Sequence, residues 1–405
     1  CGAGICFNRS NGSLINTIVW ENYASPSDSQ IVLWDSSPDI RYCDIEGGWE
    51  GEGNIDEDPQ FVEPYIYNFN VYSSSPCIDA GDPDITDPDS TRSDIGLYFS
   101  FHPDYPPSGS VWYVSTTGND STGDGSPENP YRTIQFAVDT SYIRDTIIVE
   151  NGVYEENVSL VNKSLILASR YIFTEDSSDI ENTIIDGRGI SSVVYSEHCD
   201  SLSKFMGFTI RNGSNSGIHC ISSYITISNN IVTNNTAEEY GGGIYCHGYG
   251  TKPKIIENII RENYAEEGGG IFCNHVIPQI NNNIIYDNTA TEEGGGILLW
   301  NSDYLSTIKE NFISKNTSVW GGGIRIRRSR VQVIGNLISN NNARRHGGGV
   351  YCGGNRSARF YDNTIVENRA EKGGGIVLAT DLYLYLRNCI IWENRTLLNE
   401  ENNLW

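Results

Sequence analysis

A run of three glycines followed by Ile or Val occurs six times in this chain, at intervals of 26 or 27 residues. The runs start at Gly241, Gly268, Gly294, Gly321, Gly347 and Gly373. Such regular self-similarity is typical of solenoids, in which each repeat packs only on its neighbours and the structure grows in one direction. The 405 residues are therefore expected to form a stack of repeats rather than several globular domains.

Each repeat contains short apolar segments joined by polar turns. In one repeat these segments are residues 244–247 and 255–260, and the first alternates Ile and Cys with Tyr and His. This period of two indicates a half-buried strand, and no helical periodicity of matching strength runs through residues 215–395. The sequence predicts an all-β fold, a right-handed parallel β-helix with about 26 residues and two or three strands per coil.

Two columns of asparagine repeat with the same period. The first contains Asn230, Asn258, Asn283, Asn311, Asn336 and Asn363, and the second contains Asn235, Asn263, Asn288, Asn316, Asn341, Asn368 and Asn394. Stacked Asn side chains at turns bond to their own turn and to the next coil, so an Asn ladder is expected. The glycine runs are interpreted as tight turns or places of close backbone approach.

Four cysteines share another position of the repeat: Cys220, Cys246, Cys273 and Cys352. Small buried side chains suit strands that stack about 4.8 Å apart, so these cysteines are expected to be free thiols. The remaining cysteines lack the spacing of a zinc site.

Acidic residues greatly outnumber basic ones. The chain has 52 Asp plus Glu against 27 Lys plus Arg, a formal net charge of -25. This balance argues against nucleic acid or an anionic membrane as the partner. No apolar run approaches the roughly 20 residues of a membrane span, so none is expected.

The regular repeats carry a family resemblance. Gly-Gly-Gly-Ile alternates with Ile-x-x-Asn, as at residues 260–263 and 313–316, and this pattern resembles the GGA[ILV] and FxxN repeats of polymorphic outer-membrane proteins. The match covers residues 215–395, with Gly where that family often has Ala and Ile where it often has Phe. Because the family consists of surface adhesins, the resemblance implies an extracellular or cell-surface protein with an adhesive or structural role.

A different segment, residues 113–135, resembles the opening of secreted β-helix proteins of the pectin-lyase-like type. It contains Tyr-Val-Ser, Gly-Asn-Asp, Gly-Asp-Gly-Ser and Tyr-Arg-Thr-Ile-Gln in that order. The resemblance implies a short capping helix at residues 133–138. We accordingly divide the chain into a terminal coil with an acidic cap segment (1–100), a linker (101–110), an N-terminal cap with the first coils (111–214) and the regular coils (215–405).

Both ends of the chain carry the same coil sequence. Residues 16–22 match residues 388–394 at an offset of 372. Residues 75–97 are similar to the C-terminal end of pectin-lyase-like proteins, yet here they precede the N-terminal cap. Two interpretations fit: the chain is one segment of a tandem array of units, or residues 1–100 complete the open end of a neighbouring rod. We favour the second and expect head-to-tail assembly into filaments, with other copies of the chain as partners.

The charge distribution favours the same assembly. Sixteen acidic residues lie between Asp35 and Asp94, against only Arg41 and Arg92. Basic residues concentrate later in the chain, at Arg325, Arg327, Arg328, Arg330, Arg344, Arg345, Arg356, Arg359, Arg369 and Lys372. Opposite charges at opposite ends would steer end-to-end contacts, although a run of Arg is also compatible with a solvated outer face.

Strand alternation predicts an outward stripe of aromatic and basic side chains: Tyr245, Phe272, Trp300, Arg325, Arg327 and Tyr351. Such a stripe can stack on sugar rings or on another protein surface. The stripe is thus compatible with a glycan-binding module, and the resemblance to pectin-lyase-like proteins implies a second alternative function, a carbohydrate-active enzyme (a polysaccharide lyase or hydrolase). We assign no catalytic residues, because no outward acid is predicted near the two arginines, and we expect no enzymatic activity.

Two weaker predictions concern ions and glycans. An acidic segment interrupted by Gly and Pro offers oxygen ligands for Ca²⁺ from Asp79, Asp82, Asp84, Asp87 and Asp89, and no other cofactor is expected. Candidate glycosylation sites in N-x-S/T sequences are Asn8, Asn119, Asn157, Asn212 and Asn355.

Overall fold

A computed structural model describes residues 4–23, 30–63, 68–71, 75–86, 91–96, 110–302, 305–354, 357–379 and 384–396. The chain divides into two compact units, residues 1–108 and 109–405. The structure is mostly β, a parallel β-solenoid of about 13 turns spaced about 26 residues apart, which confirms the predicted fold class.

The second unit contains three long parallel sheets. Sheet A consists of Val111–Val114, Thr146–Val149, Ile166–Ser169, Lys204–Met206, Thr226–Ser228, Lys254–Ile256, Gln279–Asn281, Leu305–Lys309, Arg330–Ile334, Ala358–Tyr361 and Leu384–Arg387. Sheet B consists of Gly152–Tyr154, Thr183–Asp186, Thr209–Arg211, Ile231–Thr233, Ile259–Arg261, Ile284–Tyr286, Phe312–Ser314, Leu337–Ser339, Thr364–Val366 and Ile390–Trp392. Sheet C consists of Val158–Val161, Val194–Glu197, Ile218–Ile221, Ile244–His247, Ile271–Asn274, Ile297–Trp300, Ile324–Arg327, Val350–Gly353 and Ile376–Ala379.

A fourth parallel sheet, sheet D, begins in the middle of this unit and was not predicted. Its strands are Tyr264–Glu267, Thr289–Glu293, Thr317–Trp320, Asn342–His346, Arg369–Lys372 and Arg395–Thr396. Each of the first five links a sheet B strand to the glycine run that precedes sheet C. The later coils therefore contain four strands rather than the two or three expected.

Side chains of one type stack in register through the core. In sheet C, Ile244 pairs with Ile271, which pairs with Ile297 and then Ile324, and all four are fully buried. Cys220, Cys246 and Cys273 form a parallel column of buried free thiols. Identical neighbours on adjacent strands keep the core at constant width, so each added coil buries the apolar face of the one before it.

Both asparagine columns form buried ladders. In the second column, the backbone N–H and side-chain Nδ2 of Asn288 both donate to Oδ1 of Asn316, each at 3.0 Å. Asn316 bonds to Asn341 in the same way, at 3.0 Å from each donor. Every Asn thus satisfies turn groups that would otherwise be buried without partners, which confirms the predicted structural role.

A short helix, Ile134–Thr140, lies where the capping helix was expected. The side chain of Thr133 accepts a hydrogen bond from the backbone N–H of Phe136 and so caps the helix N-terminus. Ile134, Ala137 and Val138 are the buried face of this helix. Two further short helices, Tyr171–Thr174 and Ser177–Asn182, were not predicted. Across the described ranges, no helix has the length and apolarity needed to cross a bilayer.

The first unit contains two β-helical coils of its own. Three parallel pairs join them: Ile5–Asn8 with Ile31–Trp34, Ser13–Ile15 with Asp39–Arg41, and Ile18–Val19 with Asp44–Ile45. An antiparallel pair, Phe61–Glu63 with Asn68–Val71, follows. Val19, Ile31, Ile40, Cys43 and Ile45 form a small buried core between the coils.

Candidate functional site

The outer surface of sheet C carries all six residues of the predicted stripe. Every second side chain of a parallel strand points away from the core, and the in-register pairing stacks these side chains on neighbouring coils. One outward column runs from Tyr245 through Phe272, Leu298 and Arg325 to Tyr351. A second column places Trp300 directly beside Arg327.

The aromatic rings of this surface stack on one another. The ring centroid of Phe272 lies 5.3 Å from that of Tyr245 and 6.2 Å from that of Trp300. Tyr240, which precedes the glycine run of its coil, lies 5.3 Å from Phe272 and covers it from the side. Contacts of this kind fix the ring orientations and give a rigid aromatic surface.

The two arginines stack on the same surface. The guanidinium of Arg325 lies 4.2 Å from the ring centroid of Tyr351, and that of Arg327 lies 4.4 Å from the ring centroid of Trp300. Both also approach Glu293, with Nε of Arg325 at 3.2 Å from its Oε2 and Nη1 of Arg327 at 3.5 Å. Each arginine therefore has an aromatic partner and an acidic partner.

Two carboxylates of this surface, Glu267 and Glu293, were missed by the sequence analysis. They occupy register partners on adjacent strands of sheet D. Burial raises the pKa of Glu267, and the neighbouring charge of Glu293 raises it further. The expectation of no outward acid near Arg325 and Arg327 was wrong, because sheet D returns these residues to the edge of sheet C. A Glu-Glu pair directly precedes each of two glycine runs, and this pattern was the sequence signal for acidic residues near the stripe.

Burial restricts which of these residues a ligand could touch. Phe272 is fully buried and Arg325 is only 6% exposed, so the expected exposure of these two was wrong. The reason is that neighbouring side chains cover them: Tyr240 packs against Phe272, and Glu293 and Tyr351 pack against Arg325. Tyr245, Trp300, Arg327 and Tyr351 remain partly exposed and form the accessible part of the stripe.

This accessible part has the chemistry of a binding surface. Flat aromatic faces beside a guanidinium suit the stacking of a sugar ring or of a protein side chain. Oε2 of Glu267 and Oε2 of Glu293 are both shielded from solvent, and Glu293 is already paired with two arginines. The arrangement therefore offers binding contacts, and these two Oε2 atoms are poorly placed to reach a substrate.

The acidic segment of the first unit is held by hydrogen bonds within the chain. The backbone N–H of Asp79 donates to Asp94, and that of Asp84 donates to Asp82. Asp82 also lies 3.8 Å from Nη2 of Arg41. Asp87 and Asp89 lie outside the described residues. Across the residues that are described, no group of three or more His, Cys, Asp or Glu could hold a metal ion, and calcium binding stays a prediction.

The carboxylate of Asp44 in the first unit is fully buried. Its Oδ2 accepts from Sγ of Cys77 at 3.1 Å, and its Oδ1 accepts from the backbone N–H of Glu57 at 3.3 Å. Burial raises the pKa of Asp44 from 3.8 to about 6, because these hydrogen bonds only partly offset the loss of hydration.

The stability of the first unit is expected to fall as pH rises. Because the folded pKa of Asp44 lies above the unfolded value, the folded state binds more protons between pH 4 and 6. Its contribution is fully present below about pH 4 and is lost through about pH 6, a decrease of roughly 2 to 3 kcal/mol. Urea unfolding at acidic and neutral pH measures this difference. An Asp44→Asn variant should lose that part of the pH dependence, and an unchanged profile would contradict the assignment.

Three of the candidate glycosylation sites are exposed, and Nδ2 of two sites donates hydrogen bonds, with that of Asn212 bonded to both carboxylate oxygens of Asp186. Asn8, Asn119 and Asn212 are exposed. Nδ2 of Asn157 donates to the backbone carbonyl of Ser192 at 2.8 Å. Asn355 lies outside the described residues. Glycosylation stays a prediction at each of these positions.

Comparisons with known proteins agree with the repeat pattern. Residues 274–374 match the family model described as "Periplasmic copper-binding protein (NosD)". A segment of 108 residues is 30% identical to the "Probable outer membrane protein pmp21" of Chlamydia pneumoniae, covering 25% of this chain and 7% of that protein. The chain thus spans a small part of that relative's length.

Solved structures with a similar backbone trace include pectate lyase Pel9A and the pectin methylesterase from Aspergillus niger. The lyase is 14% identical, with a TM-score of 0.42 over 69% of this chain and 78% of that chain. The methylesterase is 14% identical, with a TM-score of 0.38 over 70% of this chain and 86% of that chain.

Proposed function

We propose that this chain is a structural or adhesive protein of the cell surface or envelope whose β-helical coils stack end to end between copies. The similarity of its repeats to an outer-membrane protein and to a periplasmic family supports that location. In this assembly, the first unit of one copy covers the last coil of the second unit of another. The copies then form a filament, because such a head-to-tail contact does not close.

The observation that carries this proposal is the exposed core of the last described coil. Ile391 is 48% exposed, whereas Ile365, at the same position of the preceding coil, is fully buried. Leu378 and Leu386 are likewise exposed, although their partners Cys352 and Phe360 are fully buried. All three sides of the coil thus present apolar side chains that a further coil would bury.

The first coil of the first unit resembles the last coil in sequence. It carries Ile-Val-Trp-Glu-Asn at residues 18–22, where the last coil carries Ile-Ile-Trp-Glu-Asn at residues 390–394. Residues 4, 5 and 16–20 line an apolar cleft of about 860 Å³ in the first unit. Among the described strands of that unit, Ile5–Asn8 pairs on one side only, with Ile31–Trp34.

The asparagine ladder supplies a register for the contact. Asn394 is the last described member of the second column, and Asn368 donates to its Oδ1 from both nitrogens. Stacking of the first coil would bring Asn22 into the next position of that column. Asn394 would then donate to Oδ1 of Asn22 in the second copy, as each Asn does along the ladder.

Ile391→Glu is expected to abolish end-to-end assembly, because it places a charge in the apolar contact. The wild-type protein should give particles that lengthen with concentration, measured by sedimentation velocity and negative-stain electron microscopy, while the variant should form no such elongated particles. Ile190→Glu is the matched control, since Ile190 is also well exposed but lies in a turn of the second unit. A wild-type chain that remains monomeric at every concentration would overturn the proposal.

Glycan binding at the accessible stripe is the second candidate function. It is favoured by the partly exposed rings of Tyr245, Trp300 and Tyr351 beside Arg327. Catalysis is not proposed, because the two carboxylates of the surface are shielded or paired. Saturable polysaccharide binding that Ile391→Glu leaves unchanged would distinguish this role from assembly.

A further inference from the structure

The outer face of sheet D is exposed along its whole length. Its inward residues are small and buried: Ala265, Ala290, Ser318, Ala343 and Ala370. The alternate side chains point to solvent, as the period of two requires. Adjacent strands lie about 4.8 Å apart, so six strands form a surface about 24 Å long from the first to the last.

One half of this face is acidic. The residues are Glu266 and Glu267 on the first strand, Glu292 and Glu293 on the second, and Glu238 and Glu239 in the preceding coil, where Tyr240 bridges to Glu267. The charge of Glu293 is offset by Arg325 and Arg327. Oε2 of Glu267 is shielded from solvent, and the other carboxylates face outward without an equal number of basic residues on the same strands.

The other half of the face is basic. Arg344 and Arg345 lie on the fourth strand, Arg369 and Lys372 on the fifth, and Arg395 on the sixth, and all five are exposed. Glu371 is the one acidic residue on these three strands. The third strand, Thr317–Trp320, separates the two halves and carries no charge.

We infer that this face is self-complementary and pairs with the same face of a second copy in antiparallel orientation. The two copies are related by a two-fold axis that lies between them, directly over Thr317–Trp320 and parallel to this strand. This axis reverses the order of the strands in the second copy. The strands before the central one then face the strands after it in the other copy. Acidic strands therefore oppose basic strands twice, once on each side of the axis.

The register of sheet D specifies the opposing residues. Tyr264 and Arg369 lie in the first column, two strands on either side of Thr317, so Tyr264 faces Arg369 of the second copy and forms a cation–π pair across the axis. Parallel pairing would instead place acid against acid and base against base, so the charge pattern selects the antiparallel orientation.

The size of the face predicts a weak, salt-dependent association. A surface about 24 Å long and one strand wide lies well below the roughly 800 Å² per partner of a stable interface. Most of its charges are exposed, so ions screen them beyond about 10 Å at 0.1 M salt. The contact is a lateral one between rods, and it differs from the end-to-end stacking proposed above.

Two charge-reversed variants test the inference in the full-length chain. One carries Glu266→Lys and Glu292→Lys, and the other carries Arg344→Glu, Arg345→Glu and Arg369→Glu. Both are made in the Ile391→Glu background, so that end-to-end stacking neither contributes nor interferes. In sedimentation equilibrium at low salt, the background protein should dimerise, each variant alone should bind itself at least tenfold more weakly, and an equimolar mixture should recover the heterodimer.

The outcomes of this experiment are separable from those of the stacking test. Recovery of association only in the mixture, and its loss at high salt, supports the inference. A monomeric background protein, or a mixture as weak as the single variants, would overturn it. All substituted side chains except Glu292 are well exposed, and circular dichroism of each variant checks that the fold is intact.

Orientation is tested by single cysteines. Thr289 and Asn342 lie in the first column, one strand on either side of Thr317. In the antiparallel dimer, Thr289→Cys faces Asn342→Cys of the second copy, so a mixture of the two variants in a Cys6→Ser background should cross-link. Cross-linking of each variant mainly with itself would show parallel pairing and contradict the inference.

Discussion

Replacing Gly322 with alanine is expected to destabilise the second unit by about 3 kcal/mol or more. A Cβ atom at Gly322 would lie 2.6 Å from the backbone oxygen of Asn342 and 2.6 Å from that of Gly348. Both atoms belong to the next coil and are fixed by the parallel hydrogen bonds that join the coils, so neither can move away independently. Urea unfolding followed by circular dichroism measures the loss.

Gly335 in the same coil provides the control. Its φ is +62°, but only Cγ of Glu310 comes near an added Cβ, at 3.4 Å. Other coils place Glu310 and Asp362 at the equivalent turn, also with positive φ. Gly335→Asn should therefore be nearly neutral, since Asn tolerates this backbone conformation. Equal loss of stability in both variants would mean that glycine content, rather than close contact between coils, decides the effect.

The spacing of Gly and Asn was sufficient to predict the coil and its axis. Glycine runs mark the points where backbones meet, and the first glycine of each run has positive φ, as at Gly321 with +70°. The asparagines mark the buried turns. Both residue types act locally and repeat in register, so their physical roles can be inferred from one repeat.

Sheet D could not be predicted in this way. Its sequences, such as Tyr264–Glu267 and Arg369–Lys372, are short and polar, with a single buried Ala each. Nothing in such a segment distinguishes a strand from a turn, because its hydrogen bonds come from neighbouring coils rather than from its own periodicity.

The candidate site was only partly predicted for the same reason. Alternation placed Phe272 and Arg325 on the outward side of sheet C, and this direction is correct. Their burial depends on Tyr240 and Glu293, which come from segments more than twenty residues away. Glu293 lies on sheet D, and Tyr240 lies in a segment that bridges to its first strand. The sequence of one strand does not show which side chains from another element will cover it.

Replacing one Asn of the buried ladder is expected to lower the free energy of unfolding about as much as adding a side chain at Gly322. Asn316→Ala deletes the acceptor for two donors of Asn288 and the Nδ2 donor to Asn341 and to the backbone carbonyl of Ile285. These groups are buried, and each one left without a partner costs about 1 to 3 kcal/mol. We expect a loss of about 4 kcal/mol in the free energy of unfolding, whereas Thr317→Ala, at the exposed neighbouring position, should change it by less than about 0.5 kcal/mol.

The Asn316→Asp variant tests the acceptor and donor roles of the Asn316 side chain separately. The carboxylate keeps an oxygen for Asn288 but faces the oxygens of Asn341 and Ile285 with a charge instead of an N–H. Burial and these oxygens should raise the folded pKa of the new carboxyl above its unfolded value, so the variant is most stable at acidic pH and loses stability as pH rises. Unfolding at pH 4 and pH 7 measures the difference. If Asn316→Asp matched the wild type at neutral pH, the ladder would stabilise the rod through its acceptors alone.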